Sequence, residues 1–269
     1  MIVLMNSSKT LDFSPPVGIS RHTVPEFLKD AALLVEQLRK LSAPKLSELM
    51  GISDKLAKLN VTRYANWQTA AAPAGAKQAI LAFKGDIYSG IETANYDIKD
   101  FDFAQQHVRI LSGLYGMLRP LDLIQPYRLE MDTKLPAAGG KNLYSFWGNR
   151  ITESLKALLK EEKSGVVVNL CSAEYLRVIK SESLEARVIT PAFKEFRSGS
   201  YRFITIYAKK ARGFMCNYII RRHLNCVEDL KTFDVGDYQY NKKISSAHEW
   251  VFTRSESDLN SKSQAPNNK

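Results

Sequence analysis

The chain has 269 residues, of which 45% are hydrophobic and 25% charged, a composition typical of globular proteins. A chain of this length can bury a sizeable core, so the composition excludes a small scaffold that depends on disulfides or metal ions. Lys plus Arg number 38 and Asp plus Glu number 28, which gives a formal net charge of +10 and favours an anionic partner.

In the first half of the chain, strands and short helices alternate. The apolar run Ile2–Met5 predicts a buried strand. The pattern Thr23-Val24-Pro25-Glu26 is typical of a capping box and predicts a helix that ends before Pro44. Arg109–Gly116 is predicted to include a strand. Further short helices are predicted at residues 45–50, 53–59 and 61–67.

The second half of the chain begins with a predicted long helix, Lys141–Glu162, after a break at Gly139-Gly140. The β-branched run Gly165–Cys171 predicts a central, fully buried strand. Two runs, Val188–Phe196 and Tyr201–Tyr207, flank a glycine-containing link and predict a β-hairpin. The remaining predicted elements are a helix at 208–223 and a strand at 250–253.

The domain organisation follows from the absence of any linker inside residues 1–254, which predicts one domain. Residues 255–269 are polar and rich in Ser and Asn, so we expect a disordered tail. Three scattered cysteines favour reduced thiols and a cytoplasmic protein over a disulfide framework. No apolar run reaches membrane-spanning length, so no membrane partner is predicted.

The first candidate binding site is the segment Leu49–Ala57, which resembles the helix-hairpin-helix signature. The matching residues are Gly51, Ile52 and Ala57. Ser53 stands where the signature has its second glycine. Such a turn presents backbone N–H groups to a phosphate without reading sequence, and Lys55 and Lys58 would add charge. A plain turn between two helices, with Ser53 only as the N-cap, has the same pattern.

The second candidate is the helix predicted at 208–223, because positive charge is concentrated around it. Residues 194–222 hold eight basic side chains and one acidic side chain. The basic residues of this helix that could contact phosphates are Lys209, Lys210, Arg212, Arg221 and Arg222. Lysines at a helix N-terminus are unfavourable for the helix dipole, which suggests an anion bound beside them. A surface helix with solvated lysines is the alternative.

The third candidate is a set of basic and aromatic residues from distant segments of the chain. Its members are Lys9, Lys84, Arg109, Arg119, Tyr127, Arg128 and Trp147. Arginine binds phosphate or carboxylate with two parallel hydrogen bonds, so convergence in one cleft would suit a small anionic substrate. Alternatively, the arginines tie loops together, as Arg119 could do with Asp122.

Neither a catalytic motif nor a metal-binding motif accompanies these candidates. The sequence contains no G-x-S-x-G elbow and no P-loop, and its four histidines are scattered. Asp97, Asp100 and Asp102 could hold a divalent ion, but helix capping explains them more simply. Cys171 ends a predicted strand, although most buried cysteines are inert. We therefore predict no metal and no cofactor, and we do not favour an enzyme.

Several long motifs together resemble the YaaA family of bacterial peroxide stress proteins. They include residues 79–88, 111–116, 118–122, 126–131 and 207–213, in family order within residues 1–254. The resemblance implies a cytosolic protein that is linked to survival of hydrogen peroxide because it limits damage from free intracellular iron. It also implies a mixed α/β domain with a basic cleft, a helix-hairpin-helix-like element and DNA binding.

Two departures from the family pattern concern the N-terminal loop and Cys171. Asn6-Ser7-Ser8 precedes Lys9 where the family usually has Ser-Pro-Ala, and Cys171 stands where alanine is usual. We expect one mixed α/β (α+β) domain with a central mixed sheet surrounded by helices. Its basic cleft is expected to bind double-stranded DNA without sequence preference. The alternative is an enzyme acting on a small phosphate- or carboxylate-bearing substrate in the same cleft.

Overall fold

A mixed sheet forms the centre of the computed structural model, which describes residues 1–14, 19–137, 140–163 and 165–255. The strands are β1 (Ile2–Asn6), β2 (Thr10–Leu11), β3 (Lys77–Gln78), β4 (Phe83–Lys84), β5 (Val108–Ser112), β6 (Gly116–Leu118), β7 (Leu123–Ile124), β8 (Val166–Asn169), β9 (Arg187–Arg197), β10 (Ser200–Arg202), β11 (Gln239–Tyr240) and β12 (Glu249–Arg254). The helices are α1 (Leu28–Arg39), α2 (Ala43–Met50), α3 (Asp54–Asn66), α4 (Ala79–Ala82), α5 (Ile98–His107), α6 (Leu143–Trp147), α7 (Arg150–Glu162), α8 (Ala173–Leu176) and α9 (Thr205–Arg221). Apart from Ser255, the predicted tail lies outside the described residues.

The central sheet has the strand order β11-β12-β9-β8-β1-β5-β6, with β10 paired to β9. The five strands from β12 to β5 run parallel, and β6, β10 and β11 pair antiparallel to their neighbours. Helices surround this sheet, so the predicted mixed α/β fold is confirmed.

The two innermost strands are those with the most continuous apolar sequence. Residues Ile2–Met5 of β1 are fully buried between β8 and β5, and Val167 and Val168 of β8 are fully buried beside them. A parallel strand that is covered on both faces needs apolar side chains at consecutive positions. This requirement explains why both strands could be predicted from the sequence.

A topological switch point lies between β1 and β8. The chain leaves β1 toward β5 on one side, whereas it leaves β8 toward β9 on the other side. Because the two connections diverge, a crevice opens beyond the carboxyl ends of these strands, where open α/β sheets bind ligands. The loops that begin at Asn6 and after Asn169 therefore border the expected ligand position.

The predicted capping box at Thr23–Glu26 is wrong. Helix α1 begins only at Leu28 and has no side-chain cap. Thr23 instead forms a backbone bridge with Asp122, and its Oγ1 donates to Asp122 Oδ1 at 2.6 Å. The buried carboxylate of Asp122 needs hydrogen-bond donors, and this tertiary requirement overrides the local capping pattern.

Three other element boundaries differ from the predictions. The long helix predicted at 141–162 breaks at Gly148, which has a φ of 52° and lies between α6 and α7. Gly139, in the predicted break before it, lies outside the described residues. The two helices predicted at 53–67 are one, α3. The second hairpin strand is short, since β10 ends at Arg202 and α9 begins at Thr205.

Candidate functional site

Helices α2 and α3 are joined by a three-residue turn, Gly51-Ile52-Ser53, and we call this unit the α2–α3 hairpin. Gly51 is exposed and left-handed, with a φ of 60°, a conformation that glycine adopts without strain. Ser53 is the N-cap of α3, and its Oγ accepts from Leu56 N at 3.4 Å. Ala57 is fully buried where the helices pack. Both the motif match and a plain turn between two helices are compatible with this geometry.

The charge of this hairpin is lower than a count of lysines suggests. Lys55 is exposed and has no ion pair among the described residues. Lys58 Nζ, however, lies 2.7 Å from Asp54 Oδ2, and this hydrogen bond raises the pKa of Lys58. Asp54 also occupies the first turn of α3, where a carboxylate is favoured by the helix dipole. A phosphate at this N-terminus would compete with Asp54.

A cleft of about 390 Å³ lies at the switch point, beyond the carboxyl ends of β1 and β8. We call it the switch-point cleft. Its lining residues are Asn6, Ser7, Ser8, Lys9, Thr10, Gly85, Asp86, Ile87, Ser172, Glu174, Tyr175, Lys209 and Arg212. Asn6 joins two of the lining loops, because its Oδ1 accepts from Ser172 N at 3.2 Å.

Helix α9 closes one side of this cleft through a close backbone contact. A Cβ on Gly213 would lie 1.9 Å from the carbonyl oxygen of Ile87, so only glycine allows the approach. The same is true on the opposing segment, where a Cβ on Gly90 would lie 2.6 Å from Phe214 N. The contact places Lys209 and Arg212 of α9 over the loop that contains Asp86.

The guanidinium group of Arg212 is unusual because one of its nitrogens, Nε, is buried without a hydrogen-bond partner among the described residues. Burial lowers the pKa of Arg212, and the neighbouring thiol of Cys171 offsets this effect only in part. Burial also raises the pKa of the Cys171 thiol well above its usual value, so the thiol is neutral and a poor nucleophile.

A group of hydroxyls forms the floor of the cleft. Ser7 is buried, and its Oγ donates to the hydroxyl of Tyr175 at 3.2 Å. Deeper in the core, Tyr127 and Ser112 share a hydrogen bond of 2.7 Å between their hydroxyls. Burial raises the pKa of both tyrosines, so these groups remain neutral donors and acceptors.

Carboxyl groups lie in the cleft and beside it. Glu130 pairs with Lys9 at 2.5 Å and with Arg128 at 2.9 Å, so Lys9 is already neutralised. Glu174 is partly buried, and burial followed by repulsion from Asp132 and Glu130 raises its pKa. The cleft is therefore bordered by both cations and carboxyl groups.

Two arginines that were predicted as cleft candidates lie elsewhere. Arg109 and Arg119 border a separate recess together with Glu26. Arg109 is buried, its Nη1 donates to the carbonyl oxygens of residues 105, 106 and 108, and burial lowers its pKa to about 10. Arg119 pairs with Asp122 at 3.0 Å, as the structural alternative proposed. Both arginines hold loops and do not converge on the switch-point cleft.

The aromatic candidates belong to the core. Tyr127 is buried, and Trp147 is fully buried with its Nε1 donating to Gly113 O at 3.1 Å. Neither side chain lines the switch-point cleft. Lys84 is half exposed, and its Nζ lies 3.9 Å from Asp12 Oδ2 near the cleft rim. Of the seven predicted cleft candidates, Lys9 lines the switch-point cleft and Arg128 lies behind it. Lys209 and Arg212, which were predicted as phosphate-binding residues of the helix, line the cleft as well.

The other basic residues of α9 face away from the cleft lining. Lys210 is exposed beside the ring of Phe214, and Arg222 stacks on Tyr218 at 4.6 Å. Arg221 forms an ion pair with Asp100, which is also 3.2 Å from His223. Arg221 therefore fastens α9 to α5, although its side chain is still 45% exposed.

The acidic stretch at the start of α5 has a capping role. Asp97 is the N-cap and accepts from the Asp100 backbone, while the Asp100 side chain accepts from the Asp97 backbone. Helix capping therefore accounts for Asp97 and Asp100, with Asp97 as the N-cap. No group of three potential metal ligands occurs within residues 1–14, 19–137, 140–163 and 165–255.

Several cleft residues were not predicted from the sequence, in particular Ser7, Asp86, Glu174 and Tyr175. A positional signal was available for some of them, because Ser7 directly follows an apolar strand and Glu174 follows the valine-rich strand by a few residues. Recognising that signal requires knowing that β1 and β8 are neighbours. Among the helices of the described segments, none combines the length and apolar character that a membrane crossing requires.

Comparison with known proteins places the chain in a family. A family model described as peroxide stress protein YaaA matches residues 1–244. UPF0246 proteins of Burkholderia mallei strain SAVP1, Burkholderia thailandensis strain E264 and Burkholderia pseudomallei strain K96243 are each 48% identical over 256 residues. Each alignment covers 94% of this chain and 98% of the relative. The chain therefore belongs to the YaaA family of peroxide stress proteins.

Proposed function

We propose that this protein acts in the cytoplasm during peroxide stress and protects duplex DNA from damage caused by free intracellular iron. It does so by binding the phosphate backbone without sequence preference. The α2–α3 hairpin would supply backbone amides at the N-terminus of α3, and exposed lysines would supply charge. Family membership supports the peroxide-stress part of this proposal.

The observation that carries the DNA-binding part is the turn between α2 and α3. Gly51 is left-handed, Ser53 caps α3, and Ala57 is fully buried. The N-terminus of α3 is exposed at Ser53 and Lys55, so a phosphate can reach it. Such contacts involve the backbone of DNA and carry no information about base sequence.

Two substitutions of Ser53 test this proposal without removing the helix cap. Ser53→Asp and Ser53→Asn both keep a side-chain acceptor at the N-cap, but only aspartate adds a negative charge where the phosphate would bind. We expect Ser53→Asp to weaken binding of a short labelled duplex by about tenfold or more, as for loss of a charge-assisted hydrogen bond. Ser53→Asn is expected to bind like the wild type.

The same titration is repeated across a salt series with Lys55→Gln and with Lys160→Gln, an exposed lysine on α7, as the matched control. Loss of one phosphate contact reduces the slope of log K against log salt by about 0.9. We expect this reduction for Lys55→Gln alone. Binding that is unaffected by Ser53→Asp and Lys55→Gln would exclude the hairpin as the DNA contact.

A second candidate function is an enzyme acting on a small anionic substrate in the switch-point cleft. The observation that favours it is the gathering of Lys209 and Arg212 in a cavity at the position where α/β sheets bind ligands. A cleft of about 390 Å³ has the size of a small-molecule site. Saturable binding of a small anion that Arg212→Gln abolishes would support this function.

A further inference from the structure

We propose that the switch-point cleft binds a small zwitterion of the amino-acid type, with its carboxylate held by Arg212 and Lys209 and its ammonium group held by Glu174 and Asp86. This inference rests on the second candidate function and narrows its substrate class. It does not depend on DNA binding, because none of these four residues belongs to the α2–α3 hairpin.

Four charged side chains border this one cavity without pairing with each other. Lys209, Arg212, Asp86 and Glu174 all line the switch-point cleft, yet none forms an ion pair with another described residue. The remaining cation of the lining, Lys9, is occupied by Glu130 at 2.5 Å. Two cations and two carboxyl groups are thus held apart around open space, and a ligand with both charges would satisfy all four.

The balance of charges in the cleft disfavours a polyanion as its occupant. The unpaired groups are balanced, with two basic and two acidic side chains, so the cleft has no surplus of positive charge for several phosphates. Asp86 and Glu174 would repel a polyphosphate or a DNA backbone that entered the cavity. A molecule with one oxyanion and one ammonium group has no such repulsion.

Arg212 lacks partners for its charged guanidinium group among the described residues. Its Nε is buried and donates to no described residue, and no described carboxylate neutralises the guanidinium. Arg212 is partly buried, so its charge is incompletely solvated, and groups in this state are common at functional sites. A carboxylate binds guanidinium through two parallel hydrogen bonds, which the terminal nitrogens of Arg212 could donate in the cleft.

Hydrogen-bond acceptors for the ammonium group of the ligand also line the cleft. Glu174 lines the cleft, and its Oε1 accepts from Met131 N at 3.2 Å, which fixes the position of this carboxyl group. Tyr175 and Ser7 share a hydrogen bond at the floor and supply neutral hydroxyls for polar groups of the ligand. Burial of Glu174 raises its pKa, so an incoming ammonium group would stabilise the ionised form.

The test uses the full chain and a defined panel of probes. The panel contains the standard α-amino acids, the matched carboxylates that lack the amino group, and inorganic phosphate. Binding is detected by saturation-transfer NMR and quantified by isothermal titration calorimetry. We expect at least one amino acid to bind with saturation, and its matched carboxylate to bind about 10- to 100-fold more weakly because the contacts to Glu174 and Asp86 are lost.

Variants of the cleft residues test which side chains bind the carboxylate of the ligand and which bind its ammonium group. Arg212→Gln and Lys209→Gln are each expected to weaken binding of the amino acid. Lys210→Gln is the matched control, because Lys210 is the adjacent lysine and lies outside the cleft lining. Glu174→Gln is expected to reduce the preference for the amino acid over its matched carboxylate. This last readout is a ratio within one folded variant, so it does not depend on overall stability.

Three results would overturn the proposal: no saturable binding of any amino acid, equal binding by Arg212→Gln, or binding of inorganic phosphate in preference to amino acids. The DNA proposal is separated by two measurements on the same proteins. Ser53→Asp is expected to lose DNA binding but to retain amino-acid binding. Arg212→Gln is expected to lose amino-acid binding but to retain DNA binding. Failure of duplex binding in the wild type leaves the cleft experiment fully interpretable.

Discussion

Gly213 lies where α9 touches the 3₁₀ turn Tyr88–Gly90 through its backbone. Within a helix, alanine is ordinarily more stable than glycine by about 1 kcal/mol. The glycine is therefore retained for the contact, since a Cβ would lie 1.9 Å from Ile87 O. This one position controls how closely Arg212 approaches the loop that carries Asp86.

We predict that Gly213→Ala destabilises the protein despite the higher helix propensity of alanine. Overpacking of this kind costs about 1–3 kcal/mol, and the displacement of α9 would also weaken ligand binding in the switch-point cleft. Urea unfolding measures the first effect. Lys210→Ala, an exposed change on the same helix, is the control and should be nearly neutral. Unchanged stability in Gly213→Ala would show that the close backbone approach does not exist.

The contacts of individual side chains also show what sequence patterns could not predict. Arg109 belongs to a motif of basic residues, but its partners are backbone carbonyl oxygens at the end of α5, which no spacing rule reveals. The ion pair of Arg119 with Asp122 was predictable, because the two residues are only three positions apart in the sequence. Lys9 and Arg212 could be identified as candidates from sequence motifs. That they line the same cleft depends on which strands are neighbours in the sheet.

At the scale of elements, apolar strands were predictable and helix boundaries were less so. Strands β1 and β8 are buried on both faces and have continuous apolar sequences. The start of α1 was misplaced because Thr23 satisfies the buried Asp122 from another element. The break at Gly148 follows the burial of Trp147, a tertiary effect that helix propensity does not contain.

His107, at the end of α5, ties this helix to two other elements. Its Nδ1 is 3.0 Å from Met1 O before β1 and 3.3 Å from Glu162 Oε2 at the end of α7. Burial lowers the pKa of His107, and Glu162 offsets this only in part. Since the folded pKa lies below the unfolded value, the unfolded state takes up the proton first as the pH falls.

We predict that the free energy of unfolding decreases as the pH falls through about 6.5, the ordinary histidine value, and that His107→Gln removes part of this decrease. Urea unfolding between neutral and mildly acidic pH provides the measurement. His22→Gln, which changes an exposed histidine, is the matched control. Identical pH dependence in His107→Gln and the wild type would contradict this role for His107.

At the scale of the whole molecule, the two candidate surfaces belong to different parts of the fold. The α2–α3 hairpin is an insertion between β2 and β3, whereas the switch-point cleft is built from the parallel core and α9. The mixed α/β class was predictable because long motifs resembled a known family. The strand order was not, since it depends on pairings between segments that are more than a hundred residues apart.

We propose above that DNA binding through the α2–α3 hairpin protects DNA from iron and peroxide. The most direct measurement is nicking of supercoiled plasmid by ferrous iron and hydrogen peroxide, with wild type, Ser53→Asp or Ser53→Asn present. We predict that wild type and Ser53→Asn reduce nicking in proportion to the DNA they bind, and that Ser53→Asp protects much less. Equal protection by all three proteins, or no protection by the wild type at saturating concentration, would contradict the claim.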